Sequence, residues 1–164
     1  MSDFDRFASI DALAMDVDGV LTDGTFEWSD SGGESKRFCF EDVMGLSRAR
    51  KSGLALGLIS GEDSPLVARF AAKIGIAFVA KGCKDKGAAL REFAELSGIP
   101  LARTAFIGDD LNDLSALEIA GLSAAPANAQ SAVKAAVAVV LDRSGGDGAV
   151  RQLVEMILRA RTAK

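Results

Sequence analysis

Five short apolar runs, at residues 13–17, 54–59, 76–79, 104–107 and 136–141, are separated by stretches of helical periodicity. Runs this short fit buried strands, since helices need about 10 residues or more. The helical patterns lie at 43–51, 64–74 and 86–97, after Leu111, and at 149–161. Pro65 stands just inside the second and Gly98 just past the third, where helix-end chemistry favours them. Strand and helix in alternation build parallel βαβ units, so the chain is predicted to be α/β. The expected architecture is three-layered and Rossmann-like, a central parallel sheet with helices on both faces. Ligands of such sheets bind beyond the carboxyl ends of the strands, so the residues after each run are the ones to read for chemistry.

One segment breaks the alternation. Residues 24–40, GTFEWSDSGGESKRFCF, read as two short strands around Asp30-Ser31-Gly32-Gly33, a small β-hairpin flap. Phe26, Trp28, Phe38 and Phe40 crowd this ribbon and are expected to pack against another subunit rather than back on their own domain. No linker or repeat divides the 164 residues, which are predicted to form one domain over 1–164.

Composition narrows the chemistry. The chain has 19 basic and 23 acidic residues, a net charge of −4, and no basic cluster, which argues against nucleic-acid binding. It has no histidine, so a Ser-His-Asp triad, a Cys-His pair and a His-ligated zinc site are all excluded. Cys39 and Cys83 form neither a CxxC pair nor a disulfide framework. The opening MSDFDRFASI lacks the pattern of a signal peptide and no apolar run approaches the ~20 residues of a membrane span, so a cytoplasmic protein is expected.

Carboxylates gather at two run ends. Asp16-Val17-Asp18-Gly19 closes the first run, and two acids at i and i+2 of an extended backbone point the same way. Gly108-Asp109-Asp110-Leu111-Asn112-Asp113 closes the fourth, with no cation adjacent to either group. Acids converging at one sheet edge repel, and a hard divalent cation such as Mg²⁺ relieves that repulsion with oxygen ligands alone. Ser60-Gly61-Glu62 follows the second run, and Lys86 heads the helix after the third. A hydroxyl, a backbone amide and an ammonium facing a metal suit a tetrahedral dianion, which implies phosphoryl transfer with a carboxylate nucleophile.

The set DVDGVLTDG, Ser60, Lys86 and GDDLND occurs in the order of the four motifs of the haloacid dehalogenase superfamily phosphatases, and the chain resembles them from about residue 13 to 158. The short hairpin resembles the subgroup without a large cap, which includes the 3-deoxy-D-manno-octulosonate 8-phosphate (KDO-8-phosphate) and KDN-9-phosphate phosphatases. Gly145-Gly146-Asp147-Gly148-Ala149-Val150-Arg151 is similar to that family's C-terminal segment. The resemblance implies Asp16 as nucleophile, Asp18 as general acid and base, and Lys86 as the balancing charge. It implies Mg²⁺ held by Asp16, the Asp18 carbonyl and Asp109, with Asp113 behind them and Asp110 either supporting the ligands or capping a helix. Ser60 and Gly61 would hold the phosphoryl group. It also implies a homotetramer built through the hairpins. Glu62 and Phe70 stand where the eight-carbon group usually has arginines, and Asp42-Val43 where it has Asp-Gly. Glu62 with Lys73 looks more like the nine-carbon group, Glu62 meeting sugar hydroxyls and Lys73 a carboxylate across a subunit boundary. Arg37, Arg48, Arg69 and Arg151 are alternative candidates for the partner of that carboxylate. Two other readings are a non-catalytic oligomerisation module, related to the C-terminal domain of acylneuraminate cytidylyltransferases, and a phospho-accepting receiver domain.

Overall fold

The computed structural model describes residues 3–163, so residues 1, 2 and 164 of the expected 1–164 domain lie outside the described residues. The first elements are α1 (Asp3–Ala8), β1 (Ala12–Met15), and the hairpin strands β2 (Glu27–Trp28) and β3 (Glu34–Ser35). Then come α2 (Phe40–Lys51), β4 (Ala55–Ile59), α3 (Pro65–Ile74), β5 (Phe78–Ala80), α4 (Lys86–Ser97) and β6 (Thr104–Ile107). A 3-10 turn (Leu111–Asp113) leads into α5 (Leu114–Leu117), β7 (Leu122–Ala125), α6 (Ser131–Ala136), β8 (Val139–Val140) and α7 (Ala149–Thr162).

Six strands form one sheet in the order β5-β4-β1-β6-β7-β8, every neighbouring pair parallel. This is the doubly wound order, and it reverses between β1 and β6, where a crevice opens at the carboxyl ends. Successive residues of β1 serve two cores. Leu13 and Met15 join Leu46, Val67, Leu153 and Ile157 on the face carrying α1, α2, α3 and α7. Ala12 and Ala14 join Leu90, Phe93, Leu117 and Val133 beneath α4, α5 and α6. Helix ends follow the sequence: Ser64 caps α3 ahead of Pro65, Asp85 caps α4, and Gly75 and Gly98 close them in the left-handed conformation.

The 136–141 run is shorter than expected as a strand. Ala136 ends α6, and only Val139 and Val140 pair with β7. Strand β7, with the sequence LSAA, carries one large apolar side chain and so leaves no strand signal in the sequence. The hairpin is present, but its aromatics divide. Phe26, Trp28 and Phe40 are exposed, whereas Phe38 turns inward and stacks on Phe70 with ring centroids 4.4 Å apart. Phe38 therefore packs on its own domain, contrary to expectation, because in the segment after β3 Lys36 and Phe38 face the body and Arg37 between them faces out. Asp42 of α2 is fully buried and accepts a hydrogen bond from the Arg151 N–H in the first turn of α7. Its Oδ2 has no partner, and burial pushes its carboxyl up to about 6.

Candidate active site

The ladder carries the first acid into place. Met15 pairs with Leu58 on one side and Ile107 on the other, and the Asp16 N–H still donates to the Ile107 carbonyl at 3.0 Å. The residues after β1, β4 and β6 therefore emerge at one level of the crevice. Asp16 Oδ1 accepts from the Val17 N–H at 2.7 Å and pairs with Lys86 Nζ at 3.0 Å. Oδ2 is held by neither donor. Lys86, 1% exposed, reaches from the first turn of α4 and also contacts Asp113 Oδ1 at 2.6 Å.

Asp113 Oδ2 accepts from the Asp109 and Asp110 N–H groups at 2.8 and 3.1 Å. Both oxygens of Asp113 are thus committed to orienting Lys86 and folding the loop after β6. Asp110 takes the capping alternative: its Oδ1 accepts from the Leu111 N–H at 2.7 Å. Gly19 has φ of +83°, and a Cβ there would overlap the Asp109 carboxylate. Only glycine lets the turn after Asp18 pass so close.

Burial and the Asp113 charge push Asp16 well above the usual carboxylate range despite Lys86, and the same two causes push Asp109 up to about 6. Burial opposes the Lys86 ammonium, but Asp16 and Asp113 outweigh it and its pKa is raised. Oxygens of Asp16, Asp109 and Asp113 lie within 4.8 Å of one another, and Asp109 Oδ1 is buried without a hydrogen-bond partner. Three acids around one ammonium leave negative charge in excess. An oxygen-only set with an unpartnered carboxylate oxygen fits a hard divalent cation. Asp16 and Asp109 have oxygens to give it, while those of Asp113 are engaged.

Asp16, Asp18, Gly61, Glu62, Lys86, Asp109 and Asn112 line a cleft of about 220 Å³. Ser60, fully buried behind Gly61, accepts from the Glu62 N–H at 3.2 Å, and its own proton remains to donate. Lys73 lies outside this cleft. It lines a neighbouring cavity of about 570 Å³ with Lys36, Phe38, Arg69 and Phe70, a wall without acids. Of the other arginines, Arg37 pairs with Asp23, and Arg48 and Arg151 both pair with Glu155.

Two features escaped the sequence. Lys36 Nζ pairs with Asp18 Oδ1 at 2.7 Å, a cation brought to the first acidic run from 18 residues away. Asn128 donates to the Gly19 carbonyl at 3.0 Å and accepts from the Gly145 N–H at 2.6 Å, tying the Asp16–Asp18 turn to the C-terminal glycines. Alternation along Glu34-Ser35-Lys36-Arg37-Phe38 signals that Lys36 and Phe38 share a face; nothing local points to Asn128.

A sequence model described as haloacid dehalogenase-like hydrolase matches residues 47–153. The chain belongs to this family. A relative in Haemophilus influenzae, the 3-deoxy-D-manno-octulosonate 8-phosphate phosphatase KdsC, is 37% identical over 155 residues, covering 94% of this chain and 86% of the relative. The KdsC of Escherichia coli K12 is 34% identical over 152 residues, covering 93% and 81%. Among solved structures, the Moraxella catarrhalis phosphatase in complex with magnesium, phosphate and KDO superposes with a TM-score of 0.94 at 37% identity, covering 97% of this chain and 91% of that one. The cobalt-bound H. influenzae phosphatase gives 0.93 at 36% identity, covering 96% and 92%.

Proposed function

We propose that the chain is a Mg²⁺-dependent phosphatase of a 2-keto-3-deoxy sugar acid, with KDO-8-phosphate, the ester its relatives are named for, as substrate. One observation carries the reading: Asp16 is anchored through a single oxygen by Val17 and Lys86, beside a second acid and an unpartnered Asp109 oxygen. A non-catalytic module has no use for so costly a cluster.

Asp16 attacks phosphorus while the bond to the sugar oxygen breaks, and Asp18 gives that oxygen its proton. Asp18 then takes a proton from water, which attacks the phosphoryl group on Asp16 and releases phosphate. Lys86 offsets the charge of Asp16 and the transferring group, Asp113 holds Lys86 in place, and Ser60 and the Gly61 amide donate to phosphoryl oxygens. Asp16, the Asp18 carbonyl and Asp109 would hold Mg²⁺, which when bound polarises the phosphoryl oxygens and screens the acids. Glu62, which lines the cleft, would accept from sugar hydroxyls, and Lys73 with Arg69, which line the neighbouring cavity, would meet the carboxylate.

Exposed Phe26, Trp28 and Phe40 support assembly through the hairpins into a homotetramer, and the free Cys39 and Cys83 fit a cytoplasmic setting. Among the described residues no helix is long and apolar enough to cross a membrane. Glu62 in the cleft favours a second reading, the nine-carbon KDN-9-phosphate. Phosphate release from KDO-8-phosphate, KDN-9-phosphate and hexose phosphates, with Mg²⁺ and with chelator, tests these statements. The eight-carbon ester is expected to be fastest and chelator to stop the reaction; equal rates on all esters would remove the specificity. Asp16→Asn is expected to lose at least about a thousandfold while still folding.

A further inference from the structure

Lys36 is the one residue of the hairpin region whose charge reaches the cleft. Along the strap from Glu34 to Phe38 alternate side chains reach the body, while Arg37 between them turns out. Glu34 Oε2 accepts from the Ser64 hydroxyl at 3.2 Å, at the cap of α3. Phe38 stacks on Phe70 of the same helix. Between these two anchors the Lys36 side chain is 3% exposed, whereas its neighbour Arg37 is 87% exposed. Among the described residues, Lys36 is the only group that hydrogen-bonds or ion-pairs with the Asp18 carboxylate.

An ammonium so far from water is costly, and only its partner offsets that cost. Asp18 by contrast stands at the cleft mouth, 29% exposed, on a turn that bends away at Gly19. Without a partner its side chain would be free to rotate among staggered positions, and just one direction faces a leaving oxygen above Asp16.

We propose that Lys36 is a positioning residue, which by binding Asp18 Oδ1 turns Oδ2, the oxygen that carries the transferred proton, toward the leaving oxygen and makes its placement depend on the seating of the hairpin strap. This rests on Asp18 being the general acid, and the test separates the two. An alkoxide leaving group needs a proton, whereas p-nitrophenolate leaves as a stable anion. The quantity to read is kcat/KM, with Mg²⁺, for the sugar-acid phosphate and for p-nitrophenyl phosphate. Lys36→Met keeps the stem and removes the charge; Lys36→Arg keeps the charge.

Lys36→Met is expected to lose about 10–100-fold on the sugar ester, a fraction of what a general acid contributes, and at least about tenfold less on the aryl ester. The loss on the sugar ester should fall in kcat, and Lys36→Arg should recover most of it. Asp18→Asn should show the same leaving-group dependence, and adding Lys36→Met to it should deepen that dependence no further. Equal losses on the two esters, no loss, or a loss confined to KM in Lys36→Met would overturn the proposal. If Asp18→Asn itself loses equally on both esters, the general-acid reading falls instead. Thermal melting of each variant identifies one that has not folded, and Lys36→Arg then decides: it must retain the wild-type ratio of the two esters, and a changed ratio contradicts the proposal.

Discussion

The sheet edge and the hairpin each bring a lysine–aspartate pair to the same cleft, by different means. Lys86 and Asp16 sit at the ends of elements locked into the ladder and the two cores, both nearly out of water. Lys36 arrives on a ribbon whose strands are two residues long, held by Ser64, Phe70 and Asp18 itself. Backbone pairing places the first pair and three side-chain anchors place the second. The first should therefore be stiff and essential to stability, and the second adjustable and important mainly to the reaction.

The largest expected effect breaks the stiff pair. Lys86→Met leaves Asp16 and Asp113 buried without their shared cation, which should cost about 3–5 kcal/mol in metal-free protein and abolish turnover. A loss below about 1 kcal/mol in a denaturant titration would show that the sheet edge is no more fixed than the hairpin.

A pH titration sharpens the same contrast. Asp42, at about 6 when folded against 3.8 in its ordinary state, binds its proton more tightly in the native chain. Its contribution is complete below the unfolded value and is lost as pH rises through about 6, some 3 kcal/mol at most. Asp109 and Asp16 act in the same direction. Metal-free protein should be more stable at pH 5 than at pH 7.5, Asp42→Asn should flatten that slope, and Mg²⁺ should restore stability mainly at the higher pH. A rise in stability between pH 5 and 7.5 without metal would contradict the electrostatics given for the sheet side.

The smallest expected effect on stability is on the hairpin. Trp28 is 74% exposed, so Trp28→Ala should change the stability of the isolated fold by less than about 0.5 kcal/mol. If the hairpins join subunits, sedimentation of Trp28→Ala should move from about four times the 17.0 kDa chain mass toward the chain mass itself. Wild type already sedimenting at the chain mass would remove the tetramer.

The same division decides how much could be read from the sequence. Asp16, Asp109, Ser60, Gly61 and Lys86 were legible because each follows an apolar run or opens a helix, and parallel pairing brings such positions together. Strand β7 was hidden because alanine and serine give a buried strand no distinctive pattern. Lys36 was hidden because its partner lies 18 residues away, and alternation along 34–38 pairs it with Phe38 on one face without saying which face meets the body. The inward turn of Phe38 depends on Phe70, on another element, which local pattern cannot supply.

Asp16 as the group that receives the phosphoryl is the claim on which the rest depends. Borohydride added during steady turnover reduces an acyl phosphate to an alcohol, and peptide mass analysis then locates it. Homoserine at position 16, absent when substrate is omitted, is the predicted result. Full turnover with residue 16 recovered only as aspartate, and the reduced residue elsewhere in the chain, would contradict it.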